Sequence, residues 1–91
     1  MAKVVVTAKV KDPVAWEKAF LTHGDLFKSQ TARSVSYSIG KGNKIVVCFD
    51  PADLAASLKV LESPATAEAM EFDGVLRDTV ELFVLDKEFS P

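Results

Sequence analysis

From Ser34 to Asp50 (SVSYSIGKGNKIVVCFD) apolar and polar positions alternate: Val35, Tyr37 and Ile39 against Ser34, Ser36 and Ser38. A period of two is the mark of a strand with one covered face. A Gly-Lys-Gly-Asn turn then leads to a second run, with Ile45, Val47 and Phe49 on one side and Val46 and Cys48 on the other. The pattern predicts a β-hairpin whose second arm is apolar on both faces. Lys3 to Val10 alternates in the same way and predicts a strand.

Between these strands the period changes. Trp16, Ala19, Phe20, His23, Leu26 and Phe27 recur at three- and four-residue spacing, predicting one helix from Pro13 to Phe27 or Ser29. Asp12-Pro13 supplies its N-cap and first turn. Gly24 falls inside the pattern as a bend or a close approach of another backbone. Gln30 to Arg33 reads as a polar connector into the hairpin. Asp50-Pro51 repeats the Asp-Pro helix start, with Asp53 in the first turn and Leu54, Ala55, Leu58 and Leu61 as the stripe. Ser63-Pro64 restarts a short helix with Ala65, Ala69 and Phe72, which Asp73-Gly74 ends. Val75 to Asp78 reads as a link and Thr79 to Phe89 as the last strand. The order is β-α-β-β-α-β.

In the last strand Val80, Leu82 and Val84 alternate with Glu81, Phe83 and Leu85, so its middle is apolar on both faces. Helices over one face of a four-stranded sheet account for one apolar set. Val5, Val46, Cys48, Phe83 and Leu85 remain on the other, a patch too large for a monomer to expose comfortably. At about 25 cal/mol per Å² of apolar area, a second subunit covering it contributes several kcal/mol. The expectation is a homodimer joined sheet to sheet.

Composition narrows the function classes. The chain has 91 residues, enough for one domain spanning 1–91. One cysteine, Cys48, excludes an internal disulfide, and one His with one Cys falls short of a zinc site, so no metal or cofactor is expected. The net charge is −2 and the lysines and arginines are scattered, which lacks the footprint of a nucleic-acid partner. No apolar run approaches the roughly 18 residues of a membrane span. MAKVVVTAKV lacks the apolar core of a signal peptide, and with the lone cysteine the expectation is a cytoplasmic location.

Several families share this element order. An RNA-recognition fold would carry aromatic residues on its exposed central strands, where this chain has Ser36, Ser38, Val46 and Cys48. A metallochaperone would need a second cysteine. An acylphosphatase would need a glycine-rich anion loop after the first strand, where Lys11-Asp12-Pro13 stands. The first strand, the Asp-Pro-Val-Ala-Trp helix start, His23, the hairpin, and the Asp50-Pro51 and Ser63-Pro64 pairs resemble the dimeric α+β-barrel superfamily. That superfamily includes antibiotic-biosynthesis monooxygenase-like and stress-responsive small proteins, and the likeness is greatest to uncharacterised bacterial members of about this length. The resemblance implies an α+β, ferredoxin-like βαββαβ fold whose four-stranded antiparallel sheet pairs with a second sheet to form a barrel. It also implies a cleft between helices and sheet for a small, largely apolar ligand. Haem-degrading members use an Asn, a Trp and a His in set places. Here Trp16 and His23 share the first helix and Asn43 lies in the hairpin turn, so those roles are not carried over.

His23 stands where a core residue would normally sit, amid Trp16, Phe20 and Phe27. It reads either as a general base facing a pocket or as a buried imidazole bonded to a backbone carbonyl or to Tyr37. Tyr37, on the apolar face of the hairpin, would meet His23 across the cleft and orient a ligand, or simply pack. Trp16, Phe20 and Phe27 are the candidate walls, with Met70 and Phe72 as lid residues. Cys48 reads as a structural cysteine of the dimer face, and Arg33 and Arg77 as anion holders or as partners of nearby acids such as Asp78. The functional expectation is a homodimer binding a small apolar molecule, as a cofactor-independent monooxygenase or isomerase. The alternatives are a non-catalytic regulatory or stress-related module, or an amino-acid-sensing domain of similar topology.

Overall fold

In the computed structural model, which describes residues 2–29 and 31–91, strand β1 (Lys3–Val10) lies in the interior of a four-stranded antiparallel sheet of order β2-β3-β1-β4. The hairpin supplies β2 (Ala32–Ile39) and β3 (Lys44–Pro51), joined by a 3-10 turn at Lys41–Asn43 in which Gly42 takes φ +69°. The last strand, β4 (Val75–Leu85), pairs with β1 on its other side. The architecture is the α+β, ferredoxin-like one.

One face of the sheet is the core. Val4, Val6, Ala8 and Val10 of β1 and Ile45, Val47 and Phe49 of β3 are all buried, as the alternation requires. Helix α1 (Pro13–Phe20) covers them with Trp16 and Phe20, also buried. Burying each such large side chain contributes on the order of 1.5–3 kcal/mol. Asp12 caps α1 through its carboxylate, which accepts from the amides of Val14 and Ala15.

The predicted long first helix is two helices. After Phe20 the chain tightens, with Thr22 N–H donating to Ala19 O at 3.0 Å and His23 N–H to Phe20 O at 3.1 Å. The Thr22 hydroxyl also takes Ala19 O at 2.6 Å. Helix α2 (Gly24–Ser29) then starts afresh, its first turn closed by Phe27 N–H on His23 O. No atom lies within 4 Å of where a Cβ on Gly24 would stand, so this glycine marks a bend and no close approach. Of the connector, Gln30 lies outside the described residues, and Arg33 already belongs to β2.

Asp50-Pro51 does not start a helix. Pro51 still pairs with Ala32 at the end of β3, and Asp53 is the N-cap of α3 (Leu54–Leu61), its carboxylate accepting from Ala56 N–H. The loop is held by Thr31, whose hydroxyl accepts from Asp53 N–H at 3.0 Å and whose own φ is +58°. Helix α3 buries Ser57, while Ala55, expected in its stripe, is exposed. Ser63 caps α4 (Pro64–Phe72), as its Ser-Pro start predicts.

The stretch 75–78 is strand, not link. Val75 and Leu76 pair with Val10 and Lys9, and a register shift follows in which the Thr79 hydroxyl replaces a backbone acceptor, taking Lys9 N–H at 2.8 Å. The strand ends at Leu85 because its partner β1 ends at Lys3. On the outer sheet face Val5 stands between Cys48 and Phe83. Phe83 and Leu85 there are 48% and 51% exposed, and Val5, Val46 and Cys48 are half-buried.

Candidate functional site

Between the inner sheet face and the helices lies a cavity of about 80 Å³. The sheet supplies Val6, Ala8 and Val47 as its floor, and Trp16, Phe20 and Phe27 form one wall. That wall is a rigid aromatic stack: Trp16 and Phe20 lie 4.7 Å apart nearly parallel, and Phe27 meets Phe20 edge-on at 5.2 Å. The opposite wall comes from α4 through Thr66, Ala69 and Met70. The Thr66 hydroxyl is committed to Val60 O at 2.5 Å, so this wall is effectively apolar too.

One end of the cavity is polar. His23 Nε2 lies 2.8 Å from Asp73 Oδ1, with the two side chains 19% and 6% exposed. Both residues flank helices. His23 sits at the α1–α2 break, and Asp73 caps the C-terminus of α4, where Gly74 (φ +78°) turns the chain away. A carboxylate there faces the carbonyl end of a helix, an unfavourable place for negative charge. Burial pushes the Asp73 carboxyl above the usual carboxylate range, and the His23 hydrogen bond and charge offset only part of this. With Asp73 ionised, Nε2 donates its hydrogen to the carboxylate. The Nδ1 lone pair is then left without a hydrogen-bond partner among the described residues. In that tautomer one ring nitrogen remains able to accept a proton or a hydrogen bond.

Of the residues expected at the site, His23, Trp16, Phe20, Phe27 and Met70 line this cavity. Tyr37 and Phe72 do not. The Tyr37 hydroxyl donates to Glu17 Oε2 at 2.6 Å and its ring packs behind Trp16 and Phe20, so it does not meet His23. The neighbouring Glu17 carboxylate and partial burial push the phenol up, keeping Tyr37 a donor. Phe72 is 77% exposed and stands outside, its ring 6.5 Å from that of His23. Arg33 pairs with Asp50 at 3.1 Å. Free Cys48 lies on the outer sheet face. Asp73 is the residue that sequence reasoning missed. Its signal was an acidic residue at a helix C-terminus, against the dipole. Among the described residues no group of three or more His, Cys, Asp or Glu side chains could hold a metal ion, and no helix is long and apolar enough to cross a membrane.

No protein-family model matches the sequence, and no curated protein matches it. Solved structures do match the fold. One is a protein of Bordetella bronchiseptica described as a candidate antibiotic biosynthesis monooxygenase, with TM-score 0.76, 9% identity, and 97% of each chain covered. A second is SnoaB, a cofactor-independent oxygenase from Streptomyces nogalater, with TM-score 0.71, 18% identity, and 98% of this chain and 94% of that one covered. A third is a protein of Arabidopsis thaliana, with TM-score 0.71, 14% identity, and coverage of 100% and 99%. The fold is thus one shared with solved antibiotic-biosynthesis-monooxygenase-like proteins, as the resemblance implied.

Proposed function

We propose that this chain binds a small, largely apolar molecule between helices and sheet and acts on it without a cofactor, as a monooxygenase or isomerase with His23 as general base. The observation that carries the reading is the His23–Asp73 pair at the polar end of an otherwise apolar cavity. SnoaB, a cofactor-independent oxygenase of the same fold, supports its direction. In this reading Nδ1 removes a proton from a phenol or enol, leaving an electron-rich anion. Returning that proton to a carbon of the anion, in place of the oxygen, isomerises the ligand to its keto form. Alternatively the anion reduces dioxygen: one oxygen atom becomes the carbonyl oxygen at a substrate carbon, and the other leaves as water with two hydrogens of the substrate.

The proposal includes a cytoplasmic homodimer joined through the outer sheet face, where Phe83 and Leu85 are half exposed beside Val5 and Cys48. A second reading, a non-catalytic dimeric module, is favoured by the size of the cavity. About 80 Å³ is small beside the roughly 300–1,000 Å³ of ordinary ligand pockets.

Native mass spectrometry of the protein as purified from cells tests these readings together. A dimer carrying extra mass, lost in the cavity-filling variant Ala69→Phe, is the expected result. A bare dimer transfers the function to the non-catalytic module. A bare monomer removes the sheet-to-sheet assembly. Phe83→Glu should yield monomers in the same measurement, by placing a charge in the centre of the proposed interface.

A further inference from the structure

We infer that the ligand of this cavity is a neutral compound of no more than one ring, bearing a single hydrogen-bond donor such as a phenol hydroxyl. The inference rests on the pocket reading above and adds the size and charge of what the pocket accepts.

Size comes first. A dry cavity of roughly 150 Å³ holds benzene, so a space of about 80 Å³ takes one ring only if a wall gives way. The aromatic wall cannot give way cheaply. Trp16 and Phe20 are 2% and 8% exposed and stack on each other, and Tyr37 packs behind both while tied to Glu17. The floor is the centre of the sheet. Of the half-buried flexible side chains in the lining, Leu26, Leu61 and Met70, the unbranched one is Met70 on α4, the most able to swing outward. Its movement makes room for one ring. A second fused ring would have to displace the stack itself.

Charge comes next. No lysine or arginine lines the cavity, and its ionisable groups are His23 and the carboxylate of Asp73. An anionic ligand would meet the Asp73 carboxylate, whose charge only His23 is placed to offset, and a cation would have to leave water for apolar walls. A neutral ligand pays neither cost. Nδ1 of His23, without a hydrogen-bond partner among the described residues, accepts one hydrogen bond, so an O–H is a polar group the site can satisfy. Apart from the Trp16 indole N–H and the Thr66 hydroxyl, already committed to Val60 O, the remaining lining is apolar.

The chain contains one Trp and one His, so the indole N–H of Trp16 and the ring C–H signals of His23 are unambiguous NMR reporters at two places on the cavity wall. The probes are 4-fluorophenol, 1-naphthol and 9-phenanthrol, with one, two and three rings and one hydroxyl each, titrated against the full-length protein. The expected result is that 4-fluorophenol shifts both reporters and binds at least about tenfold more tightly than 1-naphthol, a discrimination within the range a hydrophobic pocket can reach. 9-Phenanthrol should shift neither. Met70→Ala should narrow or reverse the preference for 4-fluorophenol over 1-naphthol, because it removes the side chain that limits the space. If 1-naphthol or 9-phenanthrol binds the wild type more tightly while shifting the same two reporters, the size limit is overturned and the pocket stands. An unchanged order in Met70→Ala also overturns it. If none of the three moves either reporter, the inference and the pocket reading fall together.

Discussion

The two halves of the helical layer cover the sheet by opposite means. The α1–α2 half buries large rings, Trp16 and Phe20, with Phe27 packed against them. In the α3–α4 half the most buried side chains are two hydroxyls and a carboxylate: Ser57 at 0%, Thr66 at 3% and Asp73 at 8% exposed. Rings fill space by touching one another on all sides. Short polar side chains cannot, because each is turned toward a hydrogen-bond partner: Ser57 to Thr31, Thr66 to Val60 and Asp73 to His23. The cavity lies along the seam between these halves. Buried ring surface is concentrated on the aromatic side, and buried hydrogen-bonding groups on the polar one.

Substitutions can break or sharpen this contrast. The largest effect should come from Trp16→Ala, which empties the aromatic half and should lower the unfolding free energy by about 3–5 kcal/mol in urea denaturation. Thr66→Val, equal in shape but without the hydroxyl, should cost only about 1 kcal/mol in the same assay. Val60 O keeps its bonds from Ser63, so no acceptor is orphaned. A loss above that of Trp16→Ala would refute the contrast. Gly24→Ala should stabilise by about 0.4–1 kcal/mol, since the site has room for a methyl group and its φ is not positive. A loss of stability there would show that the break between α1 and α2 depends on the glycine.

The smallest effect is a change of slope with pH. Asp73 has a folded-state pKa above its unfolded value of about 3.9. Below that value the carboxyl is protonated in both states and contributes nothing. As pH rises through the raised pKa, the native state must ionise a buried group, so the contribution to stability falls and then levels off. Asp73→Asn can keep an acceptor for His23 without that ionisation. Denaturation of both proteins from pH 3 to 7 should therefore show the wild type losing stability relative to the variant as pH rises. The opposite slope would mean that pairing with His23 outweighs burial.

The sheet was legible in the sequence because alternation records burial residue by residue, and β1 follows it along its whole length. The α3–α4 break was legible too, since Ser63 and Pro64 are both cap and stop. The α1–α2 break was not. Phe20 and Phe27 pack against the same core, so their spacing reads the same whether the helix continues or restarts. The start of β4 was hidden for a different reason: Thr79 replaces a backbone acceptor with a hydroxyl, and no hydrophobic pattern records that exchange. Half of the candidate site was visible as His23, a polar residue among rings. Asp73 was read only as a helix stop, because its partner lies 50 residues away and a single sequence does not encode that distance.

The shift of register at Thr79 has a bearing on solubility. A sheet with free edges invites other chains to add strands, and β4, at 11 residues, is the longer of the two edge strands. Its irregular pairing around Thr79, with Arg77 and Asp78 exposed beside it, leaves no long flat ladder on which a foreign strand could grow. The edge is thereby blunted against aggregation, and the apolar outer face is left as the surface through which a second copy could associate.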